Sequence, residues 1–429
     1  MQKKILAAAV TALCATTALP VLAQQTTGSK VQLWGIVDNA VRHTNNEGAT
    51  KSSRTQMVGG GMSQSRWGIK VEEDLGGSTR ALVELENRFT SDDGVSPVGN
   101  TPYFQLAFLG LQGNFGRLTM GRQWNVLFDV VTSTYASFPY SPYMDAFKPE
   151  LGMAAGARNS NMLKYTFATP SRNFVGSLQY SFDENSDTTA IQNAGAAAYL
   201  QGAATGGAAG GMQALGNFQA TALPGLVSAA AAAMKTYGGF LRYSQSGFSV
   251  GGGYLRTELP GGSDLDAWTL GGSYRGGPLY VNVGYGYNEF KRNTSVLPGQ
   301  LGPITTALRN GTDAAIVGNM WSGQTNGGFQ PGDADEREMY KIGFGYQVTP
   351  QINAGLHYFH AKQKGSTTGR SNGKADFMIA AVDYAFSKRT DAYFAVDHTK
   401  LSGGADMYID AASRANKRTG ITAGIRHRF

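Results

Sequence analysis

The residues that could do acid–base or metal chemistry are few: five histidines, His43, His357, His360, His398 and His427, and one cysteine, Cys14. None of the histidines stands in a serine-nucleophile or acid motif. His357 and His360 are three positions apart, and on an extended chain that spacing sends them to opposite faces, so they cannot share a metal. The glycine runs 59–61 and 251–253 lack the lysine and the strand-turn-helix setting of a phosphate cradle, and read as loop or strand glycines. No catalytic residue, metal site or cofactor is expected, and the chain is not expected to be an enzyme. The chemistry written into the sequence is that of fixed charge placed at a regular interval.

That interval is two. In residues 32–42, Leu33, Val37 and Val41 share one face while Gln32, Asp38 and Arg42 share the other. In residues 80–89, Ala81, Val83, Leu85 and Phe89 oppose Arg80, Glu84, Glu86 and Arg88; in 337–346, Tyr340, Ile342, Phe344 and Tyr346 oppose Arg337 and Lys341. Segments of about ten residues alternating in this way are strands with lipid on one face and water on the other. Charge in lipid is costly, so the wet face must be the inside of a closed barrel.

The connections fall into two classes. Short turns are read at 74–77, 113–116, 170–172, 245–247, 275–278, 349–351 and 387–390. Long loops are read at about 44–61, 91–100, 124–157, 184–234, 258–264, 291–336, 362–373 and 401–417. Tight turns on one side and long loops on the other join sixteen strands, an even number that closes without an edge. The fold class expected is all-β, a 16-stranded antiparallel transmembrane β-barrel. Loop 184–234 is rich in alanine and glycine, and its run Ala229 to Ala233 suggests a short external helix.

The N-terminus carries Lys3 and Lys4, an apolar stretch from Ile5 to Leu13 and small residues near Ala23, the layout of a secretory signal peptide cleaved after Ala23. The domain division is therefore a signal over 1–23 and a barrel over 24–429. Cys14 lies in the segment to be removed, so no thiol or disulfide stabilises the mature protein. The formal charge of +7 is dispersed among acidic residues rather than gathered into a stripe, which argues against a nucleic-acid partner.

Several segments together resemble the general porins of beta-proteobacteria: Leu33-Trp34-Gly35-Ile36-Val37-Asp38, Ser65-Arg66-Trp67-Gly68-Ile69-Lys70 running on to Gly77, residues 114–123, residues 384–390, and the ending Gly424-Ile425-Arg426-His427-Arg428-Phe429. The resemblance covers most of the chain, except 184–234 and 291–336. It implies a homotrimeric outer-membrane channel that passes small hydrophilic solutes and ions by passive diffusion, in contact with outer-membrane lipid and lipopolysaccharide and inserted by the barrel-assembly machinery.

It also implies that loop 124–157 folds inward and narrows the channel, carrying Asp129, Asp145 and Glu150 to the lumen. Arginines stand opposite, at positions matching Arg66 and Arg158. By alternation Arg66 shares its face with Lys70, and Arg158 with Lys164. A third family arginine falls at Gln105, so one charge is missing; Arg42 and Arg88, on lumenal parity, are the candidates to replace it. A mild preference for anions is expected. The alternatives are a substrate-specific channel for a small acid or sugar, and a closed barrel used for adhesion. Phe429, alternating with Arg428, is expected to face lipid and to serve as the insertion signal.

Overall fold

The computed structural model describes residues 28–95, 103–137, 157–183, 189–221, 234–296, 313, 317, 334–366, 368–410 and 412–429. The first half contains β1 Lys30–Glu47, β2 Ser52–Gly59, β3 Arg66–Gly76, β4 Thr79–Arg88, β5 Phe104–Gly113, β6 Gly116–Trp124, helix α1 Val126–Thr134, β7 Arg158–Ala168, β8 Phe174–Ser181 and helix α2 Thr189–Thr221. The second contains β9 Lys235–Gln245, β10 Phe248–Glu258, β11 Asp264–Gly276, β12 Leu279–Lys291, β13 Glu336–Gln347, β14 Ile352–Lys364, β15 Gly373–Ala385, β16 Thr390–Gly403 and β17 Lys417–Arg428.

Each strand pairs antiparallel with its neighbour, and β17 returns to β1 in register Ile36 to Arg428, which closes the barrel. Sixteen barrel positions result because β2 and β3 share one. The upper part of β1, from Asn39, pairs with β2, and its lower part, Lys30 to Ile36, pairs with β3. Between them the chain leaves the sheet at residues 60–65. Gly60 has φ +94°, a conformation side chains resist. The Asp38 carboxylate holds the excursion by accepting the N–H groups of Gly61 at 3.0 Å, Met62 at 3.1 Å and Ser63 at 2.7 Å.

The alternation read from sequence is the inside–outside division of this wall. Leu33, Val41, Val83, Leu109, Leu178, Leu241, Leu270 and Ile342 project outward and are exposed, as lipid-facing side chains must be when no lipid is present. Asp38, Arg42, Thr119, Asn282, Lys341 and His357 project inward and are buried. Exposed aromatics gather near both ends of the outer face, including Tyr254, Trp268, Tyr340 and Tyr358 toward the long loops and Phe174, Phe248, Tyr384 and Phe386 toward the short turns. All seven short turns lie where alternation placed them. Several long loops are shorter than expected, because strands continue past the membrane band: β1 and β2 leave only residues 48–51 between them, β10 and β11 only 259–263, and β16 runs on to Gly403. Polarity of the rim residues had been read as loop, but rim strands are solvated on both faces and need no alternation.

The helix in loop 184–234 occupies Thr189–Thr221, longer than expected and kinked at Gly206 and Gly207, where Gly207 has φ +61°. Ala229 to Ala233, most of 291–336 and the signal segment lie outside the described residues.

Helix α1 fixes the interior. Asn125 caps it by accepting the Phe128 N–H at 2.8 Å. Its apolar face, Val126, Leu127 and Val130, packs on the inward residues Phe240, Leu255 and Ala267 of β9 to β11. The seat is made by inward glycines: a Cβ added at Gly253 would meet Leu127 at 3.1 Å, and one at Gly271 would meet the ring of Tyr135 at 2.6 Å. These glycines stand where backbones must approach closely. The end of the helix is tied to the same wall, with Ser273 donating to the Thr134 carbonyl, Tyr280 to that of Ala136 at 2.8 Å, and Lys341 to the Ser137 hydroxyl at 3.1 Å.

Candidate functional site

On β3 to β7, the strands that precede the helix seat around the wall, arginines converge. Arg66 and Arg88 stand directly across from one another on β3 and β4. The Trp124 ring, at the end of β6, has two cations near it: Arg158 is 3.6 Å from its centroid and Arg88 5.4 Å. Trp124 is itself stacked on Phe128 of α1 at 3.7 Å, which links the arginine wall to the inward-folded helix. Glu86 is the carboxylate of the group, 2.9 Å from Arg88 and 3.8 Å from Arg158. Arg122, on β6, donates to Ser160 at 2.9 Å, and its charge acts on Arg158 together with those of Arg66 and Arg88. Two guanidinium groups, those of Arg88 and Arg158, thus share one carboxylate, with Arg66 and Arg122 adding their charge near Arg158.

Such crowding is tolerable because the guanidinium is weakly hydrated and stacks on aromatic faces. It leaves hydrogen-bond capacity unused: in Arg158 the Nε and one terminal nitrogen, and in Arg122 the Nε, are buried without a hydrogen-bond partner among the described residues. The net positive charge of the wall acts on passing ions through space rather than by direct hydrogen bonds.

The other expected positions divide. Lys164 and Asp129 both reach the lumen and meet each other at 2.7 Å, with Lys164 also donating to the Trp124 carbonyl at 2.8 Å. They cancel as charges and act as a brace for α1. Lys70 lies on the inner face toward the short turns, 3.3 Å from Glu84 and 5.1 Å from the centre of the Trp34 ring. Arg42 corrects the expectation that it replaces the missing arginine. It faces inward, but it is gripped by both oxygens of Asp397 at 2.6 and 3.0 Å and by Thr422 at 2.8 Å, so it adds no free charge. Arg88, the other candidate, stands across from Arg66 and beside Glu86 and Trp124.

Gln105 is the extra residue of a β-bulge: with Leu106 it stands against Glu86, and it is buried. Asp145 and Glu150 lie outside the described residues. Phe429 exchanges both backbone hydrogen bonds with Gly35 at 3.1 Å, and its half-exposed ring lies over that glycine on the outer face.

Sequence reasoning missed Arg122. Counting from the exposed Met120 puts it in lipid, but Gly121 has φ +123° and Asn161, across the ladder, has φ +54°, with a register shift between β6 and β7. Alternation fails across such irregularities. The signal available was a charge in a lipid-facing slot immediately after a glycine. The same shift separates Arg158 from Lys164, so their shared parity is not an unbroken count.

A second inward feature is a recess of about 530 Å³ under the C-terminal end of α1. Its lining is rich in hydroxyls, among them Thr132, Ser133, Ser244 and Ser273, with Arg275 and Tyr280 at one side. Among the described residues no group of histidines, cysteines and carboxylates is arranged to hold a metal ion.

Comparison with known proteins agrees with this architecture. The anion-selective porin from Comamonas acidovorans superposes with a TM-score of 0.63 at 22% identity, covering 94% of this chain and all of its own. OmpT of Vibrio cholerae in its trimer form superposes with a TM-score of 0.58 at 14% identity, covering 94% of this chain and 100% of that one. At these identities the likeness is one of fold. Outer membrane porin protein 32 of Delftia acidovorans is 33% identical over 162 residues, 36% of this chain and 45% of its own length. An outer membrane porin of Bordetella pertussis is 30% identical over 187 residues, 39% of this chain and 46% of its own. The chain thus spans about half the length of the curated relatives it matches. The Gram-negative porin family model matches residues 9–404, nearly the whole sequence. A closed sixteen-position barrel with a helix folded against its inner wall and a family match of that extent make this chain a member of the Gram-negative porin family, a protein of the outer membrane.

Proposed function

We propose that the chain forms a water-filled channel for passive diffusion of small hydrophilic solutes and ions, with a mild preference for anions. The observation that carries this is the group of Arg66, Arg88, Arg122 and Arg158 on the inner wall, with Glu86 shared by Arg88 and Arg158, beside a lumen narrowed by α1. Fixed positive charge raises the local concentration of anions and lowers that of cations, and because nothing coordinates the ion it also lets it leave. Lys164 and Asp129 hold the helix in place, Lys70 and Arg42 contribute paired charge, and Gln105 is a buried neutral residue where a further arginine is expected. The proposal extends to Asp145 and Glu150, outside the described residues, as further carboxylates of the loop that carries α1. The anion selectivity named for the Comamonas relative supports this reading.

In the same proposal residues 1–23 are a cleaved export signal, residues 24–429 form the barrel, and Phe429 is the mark the barrel-assembly machinery reads. The functional unit is a homotrimer set in lipid and lipopolysaccharide, consistent with the trimer form of the Vibrio cholerae relative. Conductance of single purified trimers in planar bilayers tests the reading. A large conductance that rises linearly with salt and is not blocked by any one solute supports a diffusion channel, and a barrel that never opens overturns it.

The second reading, a channel specific for a small acid or sugar, is favoured by the hydroxyl-lined recess with its exposed Arg275. Saturation of the current by one such solute, removed by Arg275→Ala, would establish it.

A further inference from the structure

Arg66 and Arg88 form a like-charge pair directly across the ladder between β3 and β4, an arrangement that destabilises a sheet unless something holds it. Glu86 holds Arg88 from one side at 2.9 Å, but as a carboxylate it also cancels charge. The second hold is neutral. A terminal nitrogen of Arg88 donates to the side-chain oxygen of Gln64, in the excursion that separates β2 from β3. An amide oxygen fixes the guanidinium and leaves its charge whole.

Gln64 owes its place to Asp38. This fully buried residue lies where the pairing of β1 passes from β2 to β3. Its main-chain oxygen accepts the Gly60 N–H at 2.7 Å, its carboxylate accepts the N–H groups of Gly61, Met62 and Ser63 and the Tyr393 hydroxyl, and its own N–H donates to the Ser65 hydroxyl at 3.0 Å. Three successive N–H groups turned on one anion make a nest, and here the anion belongs to the chain itself. Neighbouring strands fix both sides of Gln64: Arg426 of β17 donates to the Ser63 hydroxyl at 2.8 Å, and the Ser65 carbonyl accepts the Phe89 N–H at 3.1 Å.

We propose that Gln64, presented by the excursion anchored on Asp38, is a positioning residue for ion selectivity: it keeps the Arg88 guanidinium beside Arg66 against their mutual repulsion without neutralising it. The proposal rests on the anion preference proposed above and names a residue outside the arginine group that maintains it. Without the amide oxygen, repulsion from Arg66 and from the nearby Arg158 drives Arg88 away from them, and the positive charges of the wall spread apart.

The test is the zero-current potential of the purified protein in a planar bilayer, across a tenfold gradient of potassium chloride near 0.1 M, for wild type, Q64M, R88Q and Q64M/R88Q. Methionine is as long and flexible as glutamine but offers only a weak acceptor. R88Q removes a unit charge and should lower the anion-to-cation ratio by up to about threefold, whereas Q64M, which only loosens that charge, should lower it by about 1.5-fold. Added to R88Q, Q64M should change nothing further, because its effect passes through Arg88. An unchanged potential in Q64M overturns the proposal, and so does the same Q64M shift with and without Arg88, which would mean a general loosening of the wall. A shift in R88Q without one in Q64M refutes this proposal alone; no shift in R88Q refutes the anion-preference reading and this proposal with it. G60A perturbs the excursion without altering charge, since a Cβ there would stand 2.9 Å from the Ser63 carbonyl oxygen at a φ of +94°. It should reproduce the Q64M shift, and a wild-type potential in an inserted G60A barrel overturns the role given to the excursion.

Discussion

Replacing Arg66 and Arg158 together by glutamine should reduce the anion preference of the channel severalfold without closing it. The four arginines and Glu86 carry a net of three positive charges. At about 7 Å a unit charge in water is worth about 0.6 kcal/mol, and screening at 0.1 M salt halves this to about 0.3. Three net charges then favour a monovalent anion at the wall by about 0.9 kcal/mol and disfavour a cation equally, a local concentration ratio of about 20 that falls to a mild preference when averaged over the wider lumen. Removing two arginines leaves one net charge, about 0.3 kcal/mol, and a ratio of about 3. The assay is the zero-current potential across a planar bilayer in a tenfold gradient of potassium chloride near 0.1 M, which should move toward the cation side. Raising both compartments toward 1 M shortens the screening length to about 3 Å and should bring the two proteins together. An unchanged potential at low salt refutes the assignment of selectivity to this wall.

Other consequences follow from the same interior. Asp129→Asn frees Lys164 from its partner and should raise the anion-to-cation ratio in the same potential measurement, whereas Lys164→Gln should lower it. Leu127→Ala removes a buried contact between α1 and its seat, costing about 2–4 kcal/mol; noisier single-channel current and a larger mean conductance are the expected readout. Arg42→Ala leaves Asp397 buried without its cation, a loss of about 3 kcal/mol in urea unfolding of the folded barrel, while Arg42→Ala with Asp397→Ala should recover most of it. Phe429→Ala strips the ring from Gly35 at the seam between the first and last strands and should lower the yield of inserted, heat-resistant barrel on gels, with normal conductance in the molecules that do insert.

Most of the barrel was legible in the sequence because membrane strands obey one strong rule, a change of solvent at every residue. That rule located the seven short turns and put Arg66, Arg88 and Lys164 inside. It faltered where backbone irregularity interrupts the count, at Gln105, Gly121 and Asn161, and the arginine cluster sits at those interruptions. It faltered again at the rim, where both faces are wet and strands look like loops. Which charges are neutralised was not legible at all: Asp397 is 355 positions from Arg42, and only closure of the barrel brings them within 2.6 Å. Likewise nothing local in residues 251–253 says that these glycines receive a helix formed more than a hundred residues earlier.

That last distance has a bearing on how the protein is made. Helix α1 emerges from synthesis well before β9 to β12, yet its apolar side has nowhere to rest until those strands are paired into a wall. Ordering contacts between parts of a chain this far apart is slow, because the entropy of closing the intervening loop is lost before the contact is gained. The narrowing of the channel is therefore a late event of folding. A barrel arrested midway would hold α1 undocked, its Val126, Leu127 and Val130 face bare, and would offer a wider hole than the finished one. Accessibility of a cysteine placed at Leu127 to a water-soluble thiol reagent would accordingly serve as a clock for the final stage of assembly.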